Sequence, residues 1–122
     1  MWIEYNPNPF EQRTGDCSVR AITKALNIDW DSAYAIMAVK GYDLKRMPST
    51  DSVWGSVLKD NGFRKMVIPD NCCYTAEDFC IDYPKGIYVL GFGGHVATVE
   101  NGNLFDAWNS LKEVPQFVWY KE

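Results

Sequence analysis

The sequence predicts an α+β fold in which N-terminal helices pack on an antiparallel β-sheet. Apolar residues recur at helical spacing in the first half of the chain, whereas short apolar runs with strand-like composition fill the second half. The Asn101-Gly102 pair between two of these runs is a strong signal for a β-hairpin. Helices followed by antiparallel strands define the α+β class, and a length of 122 residues predicts one domain over residues 1–122.

Three helices are predicted in the first half of the chain, where apolar residues fall at i, i+3 and i+7 spacings. Asp16 and Asp29 are the candidate N-caps of the first two helices, and Gly41 suits the C′ position of the second. The third helix begins around Pro48 and ends at an Asn-Gly pair, residues 61–62. The predicted helices cover about residues 17–27, 30–39 and 48–60.

The second half of the chain is predicted as β-sheet with one short helix. Residues 75–78, Thr-Ala-Glu-Asp, resemble a capping box that opens a helix extending through Cys80. Pro7 and Pro9 exclude a helix from the first 15 residues, which we expect to be extended and irregular. The predicted strands cover residues 63–68, 86–91 (the expected central strand), 95–100, 104–106 and 117–120.

Charge and hydropathy exclude several classes of function. A net charge of −4 does not indicate a basic surface for nucleic acid or for an anionic membrane. No apolar run approaches the ~20 residues that a membrane-spanning helix needs. Residues 1–7 have neither the basic nor the apolar region of a signal peptide, so we expect a cytoplasmic protein with reduced cysteines.

The main functional signal is Cys17, which lies at the predicted start of the first helix. Free backbone N–H groups and the positive end of the helix dipole favour a thiolate at that position. His95 is the single histidine of the chain, so it is the one candidate for an imidazole base. A cysteine hydrolase also needs a third group that orients the imidazole.

The predicted hairpin supplies the candidates for that third group. If Asn101 and Gly102 form a two-residue turn, His95 and Asp106 lie on one face of the sheet as diagonal neighbours. A three-residue loop would shift the register by one residue and bring Asn109 to that face instead. Asp106→Asn is then expected to be milder than Asp106→Ala, since an amide can also orient an imidazole.

The order of these residues resembles the papain-like cysteine peptidase superfamily. That family has a Cys at a helix start, then a His at a strand start, then commonly an Asn-x-Trp segment whose amide orients the His. Here residues 106–108, Asp-Ala-Trp, have that spacing with a carboxylate in place of the amide. Residues 15–21, Gly-Asp-Cys-x-x-Arg-Ala, with residues 94–96, Gly-His-Val, resemble more closely the small papain-like proteins encoded by phages and bacteria.

The resemblance implies a minimal papain-like fold and a cysteine hydrolase that acts on a protein or peptide through a thioester. Cys17 would be the nucleophile, His95 the base and Asp106 the orienting residue. The implied chemistry needs no metal and no organic cofactor, and the net charge and hydropathy given above indicate no nucleic-acid partner and no membrane. The protein would act in the cytoplasm, which is the host cytoplasm if a phage encodes it.

The expected oxyanion hole departs from the family pattern at one position. Papain-like enzymes usually place a Gln six residues before the Cys, where this chain has Glu11. Gln12, one position nearer, is the candidate for that role, and Asn8 is a second candidate. The backbone N–H of Cys17 is the other expected donor.

Two other functions remain open. One is a non-catalytic module that keeps the fold and binds a host protein, which the missing Gln favours and the retained Cys, His and Asp oppose. The other is an amidase, deamidase or isopeptidase that acts on a side chain. Such an enzyme would use the same catalytic residues and would differ from a peptidase only in the shape of its groove.

Arg20 and the remaining cysteines have simpler interpretations. Arg20 is expected to pair with Asp16 or with another carboxylate, and the alternative is recognition of a substrate carboxylate. Cys72, Cys73 and Cys80 lack the C-x-x-C spacing of a zinc site, so we expect ordinary reduced thiols and no metal.

Overall fold

The computed structural model describes residues 1–68 and 73–121, and within these it has four helices and a six-stranded mixed sheet. The predicted α+β class is therefore confirmed. None of the helices in the described part of the chain is long and apolar enough to cross a bilayer. The elements are β1 (Trp2–Glu4), α1 (Cys17–Leu26), α2 (Trp30–Leu44), α3 (Asp51–Asp60), β2 (Phe63–Val67), α4 (Ala76–Asp82), β3 (Ile87–Phe92), β4 (His95–Glu100), β5 (Asn103–Asp106) and β6 (Phe117–Lys121).

The strands follow the order β1-β5-β4-β3-β6-β2, so the run predicted as the central strand lies inside the sheet as β3. The prediction of a purely antiparallel sheet is wrong at one edge. β1 pairs parallel to β5, with Trp2 opposite Leu104 and Glu4 opposite Asp106. Three residues are too few for a strand period to be visible, and the pairing depends on a partner about a hundred residues away.

Helices cover both faces of the sheet. Val89 and Leu90 are adjacent in β3 and therefore point to opposite faces. Val89 belongs to the apolar cluster formed with α1, α2 and α3, whereas Leu90 belongs to the cluster that contains Phe79 and Cys80 of α4. The first cluster supports Cys17, which packs against it at the start of α1.

The second helix is longer than the sequence predicted, and Gly41 lies inside it rather than after it. A Cβ atom on Gly41 would come within 2.7 Å of the Arg46 carbonyl oxygen, so this glycine allows the close approach of the following chain. Lys45, in the left-handed conformation, ends the helix instead. The glycine at position 41 therefore meets a packing requirement within the helix and is not a C′ residue.

Local chemistry correctly predicted the capping box and the hairpin. The Thr75 side chain accepts a hydrogen bond from the Asp78 N–H, and the Asp78 carboxylate accepts one from the Thr75 N–H. Glu100 lies opposite Asn103, which leaves two turn residues. Both of them, Asn101 and Gly102, have positive φ, as a type I′ turn requires.

Candidate active site

Cys17 is the first residue of α1 and is partly exposed to solvent. The helix begins there because the Asp16 carbonyl accepts the Arg20 N–H at 2.9 Å, the first turn of the helical ladder. The His95 side chain and the Val96 N–H lie next to the thiol. Burial by itself raises the pKa of Cys17, but its interactions with these two groups and with the positive charges of His95 and Arg20 lower the pKa by more, so the thiol is more acidic than an ordinary cysteine.

His95 is the first residue of β4 and joins Cys17 to Asp106. Its Nε2 atom lies 2.6 Å from Asp106 Oδ2, which leaves Nδ1 as the ring nitrogen for Cys17. The imidazole lies beside the rings of Phe92 and Trp108, with centroids 5.9 and 4.9 Å away. Burial lowers the pKa of His95, but its bonds to Asp106 and Cys17 raise the pKa from 6.5 to about 9.

The hairpin register selects Asp106 over Asn109 as the partner of His95. Thr98 lies opposite Phe105 and Glu100 opposite Asn103, which is the two-residue-turn register. Asn109 serves a local turn instead, because its Oδ1 accepts the Leu111 N–H at 3.2 Å. Of the two candidates that the sequence left open, Asp106 contacts His95 and Asn109 does not.

Asp106 is fully buried, and each of its carboxylate oxygens accepts two hydrogen bonds. Oδ2 accepts from His95 and from Ser110 Oγ, both at 2.6 Å. Oδ1 accepts from Arg20 Nη2 at 3.2 Å and from the Ala107 N–H at 2.7 Å. Burial raises the pKa of Asp106, but these donors and the charges of His95 and Arg20 lower it by more, which keeps the carboxylate ionised.

Asp16 is the N-cap residue of α1, as the sequence predicts, but its side chain makes no capping hydrogen bond to the helix. Its buried carboxylate instead accepts from Arg20 Nη1 at 3.0 Å through Oδ1. Its Oδ2 accepts from Trp30 Nε1 at 3.0 Å and from Asn8 Nδ2 at 3.4 Å. A buried arginine one turn along the helix is a stronger partner for the carboxylate than an N–H at the helix start.

Ser110 and Trp30 are the polar partners that sequence reasoning missed. Ser110 lies four residues after Asp106, in a loop where serine is common, and nothing in the spacing singles it out. Trp30 has the helical spacing of an apolar face, and its N–H contacts Asp16 only because α1 and α2 pack together. Neither contact leaves a local signal in the sequence.

The candidate oxyanion residues occupy the loop before α1. Gln12 is exposed, and in the described structure its side chain has no hydrogen bond to Cys17, His95 or Asp106. Asn8 is buried, with its Oδ1 accepting the Phe10 N–H at 2.9 Å and its Nδ2 directed at Asp16. The role of Gln12 therefore stays a prediction.

Cys80 belongs to a different apolar cluster from the one that Cys17 packs against. Cys80 is buried in α4, where burial raises its pKa, and it makes no disulfide. Cys72, part of the zinc alternative, lies outside the described residues. Within residues 1–68 and 73–121, no group of three His, Cys, Asp or Glu side chains is placed to hold a metal ion.

Comparisons of this chain with protein-family models, with curated proteins and with solved structures find no match. The fold and the site define the class: an α+β protein in which a Cys, a His and an Asp side chain lie in sequence, beginning at a helix N-terminus.

Proposed function

We propose that this protein is a papain-like cysteine hydrolase that cleaves a peptide or amide bond through a thioester. The observation that carries the proposal is the position of His95, which bonds to Asp106 at 2.6 Å on one side and interacts with the Cys17 thiol on the other. A nucleophile, a base and a group that orients the base are the three parts that such chemistry needs. The resemblance seen in the sequence supports the same assignment.

The electrostatics support a thiolate-imidazolium pair. The pKa of Cys17 is lowered and that of His95 is raised to about 9, so a proton favours His95 over the thiol around neutral pH. Helix α1 adds the positive end of its dipole at the sulfur. Trp108, which is 44% exposed, lies against the imidazole and limits access of water from that side.

In the acylation step, the Cys17 thiolate attacks the substrate carbonyl carbon, and the carbonyl oxygen takes the negative charge. The Cys17 N–H is the expected donor to that oxygen. His95, protonated at Nδ1, gives its proton to the leaving amine as the carbon–nitrogen bond breaks. Throughout, Asp106 holds Nε2–H and so keeps the imidazole in the productive orientation.

In the deacylation step, water attacks the thioester while His95 Nδ1 accepts a proton from it. The carbon–sulfur bond then breaks, the carboxylic acid leaves, and the thiolate returns beside the reprotonated imidazole. No redox partner enters this cycle. The thiol must stay reduced, so the proposal places the protein in a reducing compartment such as the cytoplasm.

The proposal is tested by the pH dependence of Cys17 alkylation with iodoacetamide, read by peptide mass analysis so that Cys17 is counted separately from Cys72, Cys73 and Cys80. Wild-type Cys17 is expected to react as a thiolate well below the free-cysteine pKa of about 8.5, and His95→Ala is expected to lose that acidity. An ordinary Cys17 pKa that is the same in wild type and in His95→Ala would contradict the proposal and leave the binding module as the better interpretation.

Turnover is tested next with an activated ester, p-nitrophenyl acetate, and then with pools of fluorogenic peptides. Cys17→Ser is expected to abolish both acyl-enzyme formation and hydrolysis. Cys73→Ser, at an exposed cysteine, is the matched control and is expected to keep wild-type rates. Ester turnover without peptide cleavage would favour the side-chain amidase, since the two enzymes share the acylation chemistry.

A further inference from the structure

A single buried guanidinium connects the two halves of the site. Arg20 Nη1 lies 3.0 Å from Asp16 Oδ1, and Arg20 Nη2 lies 3.2 Å from Asp106 Oδ1. The three side chains are 7%, 5% and 0% exposed, so water does not screen the contacts. An arginine so deeply buried needs a counter-charge, but one carboxylate would suffice for that.

We infer that Arg20 is a positioning residue that sets the distance between Cys17 and His95 by tying the start of α1 to Asp106. The inference rests on the proposed function. Arg20 does not touch the reacting atoms in this arrangement; it acts through the carboxylate that holds the imidazole.

The connectivity explains how this would work. Asp16 directly precedes Cys17, and Arg20 follows it by one turn of the same helix, so the nucleophile lies between two residues of one ion pair. Asp106 is the residue that holds His95. The nitrogens of a guanidinium lie in one rigid plane, so bonds to both carboxylates fix the helix start relative to the end of β5.

The anchors of this connection are themselves held in place. Asp16 accepts from the indole of Trp30 on α2 and from the amide of Asn8. On the other side, Asp106 accepts from Ser110 Oγ at 2.6 Å and from the Ala107 N–H at 2.7 Å. Neither carboxylate can therefore rotate freely to follow its partner.

The charges of the site also favour this role. In the proposed thiolate-imidazolium state, Arg20 and His95 are the positive groups, and Asp16, Asp106 and the Cys17 thiolate are the negative groups. Arg20 lowers the pKa of Asp106 and of Cys17, which keeps the carboxylate ionised and assists the thiolate. Arginine places its donors on both carboxylates from one rigid planar group, whereas the three donors of lysine share a single nitrogen on a flexible stem.

The decisive variant is Arg20→Lys, which keeps the positive charge and removes the planar guanidinium with its two separate donor nitrogens. A lysine ammonium is a point charge on a flexible stem and cannot span both carboxylates in one fixed geometry. We expect the alkylation profile of Cys17 to move up by about one pH unit, so that alkylation falls about tenfold at any pH below the wild-type midpoint. With p-nitrophenyl acetate, kcat is expected to fall and KM to stay constant, since the substrate does not contact Arg20.

Arg46→Lys is the matched control, because it makes the same chemical change at an exposed arginine that donates to Ser52 away from the site. It is expected to keep the wild-type profile. Circular dichroism shows whether each variant is folded. A folded Arg20→Lys protein with an unchanged thiol profile would overturn the inference while leaving the proposed function intact.

If Arg20→Lys does not fold, Arg20→Ala is measured with and without free guanidinium ion at non-denaturing concentration, against sodium chloride at equal ionic strength. Guanidinium is expected to restore both the fold and the acidic thiol, since it can bind the two carboxylates. Restored folding with an ordinary thiol would contradict the positioning role. An ordinary thiol already in the wild type would overturn the proposed function and this inference together.

Discussion

Asp106 stands where the papain-like family that this sequence resembles commonly has an Asn. The surroundings of Asp106 explain why a carboxylate is needed. All four of its hydrogen-bond partners are donors: His95, Ser110, Arg20 and the Ala107 N–H. An amide has one oxygen and one NH₂ group, so it can accept on one side only. On the other side, the NH₂ group would meet another donor.

This arrangement changes the expected effect of Asp106→Asn. An amide nitrogen facing His95 would force the wrong imidazole tautomer, and one facing Arg20 and the Ala107 N–H would place donors against donors. We therefore expect Asp106→Asn to raise the Cys17 pKa as much as Asp106→Ala does, contrary to the expectation from sequence alone. The iodoacetamide pH profile measures both variants. A clearly milder Asn variant would show that Ser110 and Arg20 rearrange to accept the amide.

The titration of His95 tests the same contact from the other side. In wild type its pKa is raised to about 9, chiefly by Asp106 acting against burial. In Asp106→Ala burial remains and the main opposing contact is lost, so the pKa is expected to fall back toward or below 6.5. Because the chain has one histidine, the ring resonances in an NMR titration are unambiguous. A His95 that still titrates near 9 without Asp106 would contradict the assigned cause.

At the scale of elements, structure was predictable where its cause is local. The turn needed positive φ at both central residues, which Asn101 and Gly102 adopt readily, and from that turn the register and the pairing of His95 with Asp106 followed. The capping box at Thr75 followed from two side chains three residues apart. Each of these elements is determined by neighbours in sequence.

The elements that sequence reasoning missed depend on distant partners. β1 exists because it pairs with β5, and α2 continues past Val39 because Gly41 lies against the Arg46 carbonyl. The buried bridge from Arg20 to two carboxylates was only half predictable, since Asp16 is one turn away but Asp106 is 86 residues away. A single sequence contains no signal for such a contact.

Gly41→Ala tests the packing explanation for the long α2. Alanine favours a helix interior, but its Cβ would lie 2.7 Å from the Arg46 carbonyl oxygen, which is backbone and cannot move aside cheaply. We expect a loss of about 1–3 kcal/mol in the free energy of unfolding, with an unchanged Cys17 alkylation profile. Urea denaturation measures the loss. Gly15→Ala is the control, because a Cβ there meets nothing within 4 Å; equal losses would argue against the close contact.

For the whole molecule, the site couples the reactivity of the Cys17 thiol to stability because its charged groups are buried between the helical layer and the sheet. A positioned Cys-His pair is held by contacts that also join α1 to β4 and β5. Changing the charge of one partner therefore changes the free energy of unfolding as well as the reactivity of the thiol. The two effects can be separated by pH.

His95 and Cys17 make opposite contributions to the pH dependence of stability. The pKa of His95 is higher in the folded state, so its contribution is full below 6.5 and is lost as the pH rises through about 9. The pKa of Cys17 is lower in the folded state, so its contribution is present above its ordinary value of 9.0 and is lost as the pH falls through the lowered value. As the pH rises from 6.5 to 9 in wild type, the stability lost at His95 is partly offset by the stability gained at Cys17.

Cys17→Ala removes one of these contributions and is expected to expose the other. Asp106 still raises the pKa of His95 in this variant, so its stability should decline from pH 6.5 to pH 9 more steeply than that of wild type, by on the order of 1–2 kcal/mol. Urea midpoints at constant m-value, taken at several pH values across that window, measure the difference. The double variant Cys17→Ala/His95→Ala, which lacks both groups, should lose the decline. A decline that persists in the double variant would mean that groups other than His95 govern stability in this range.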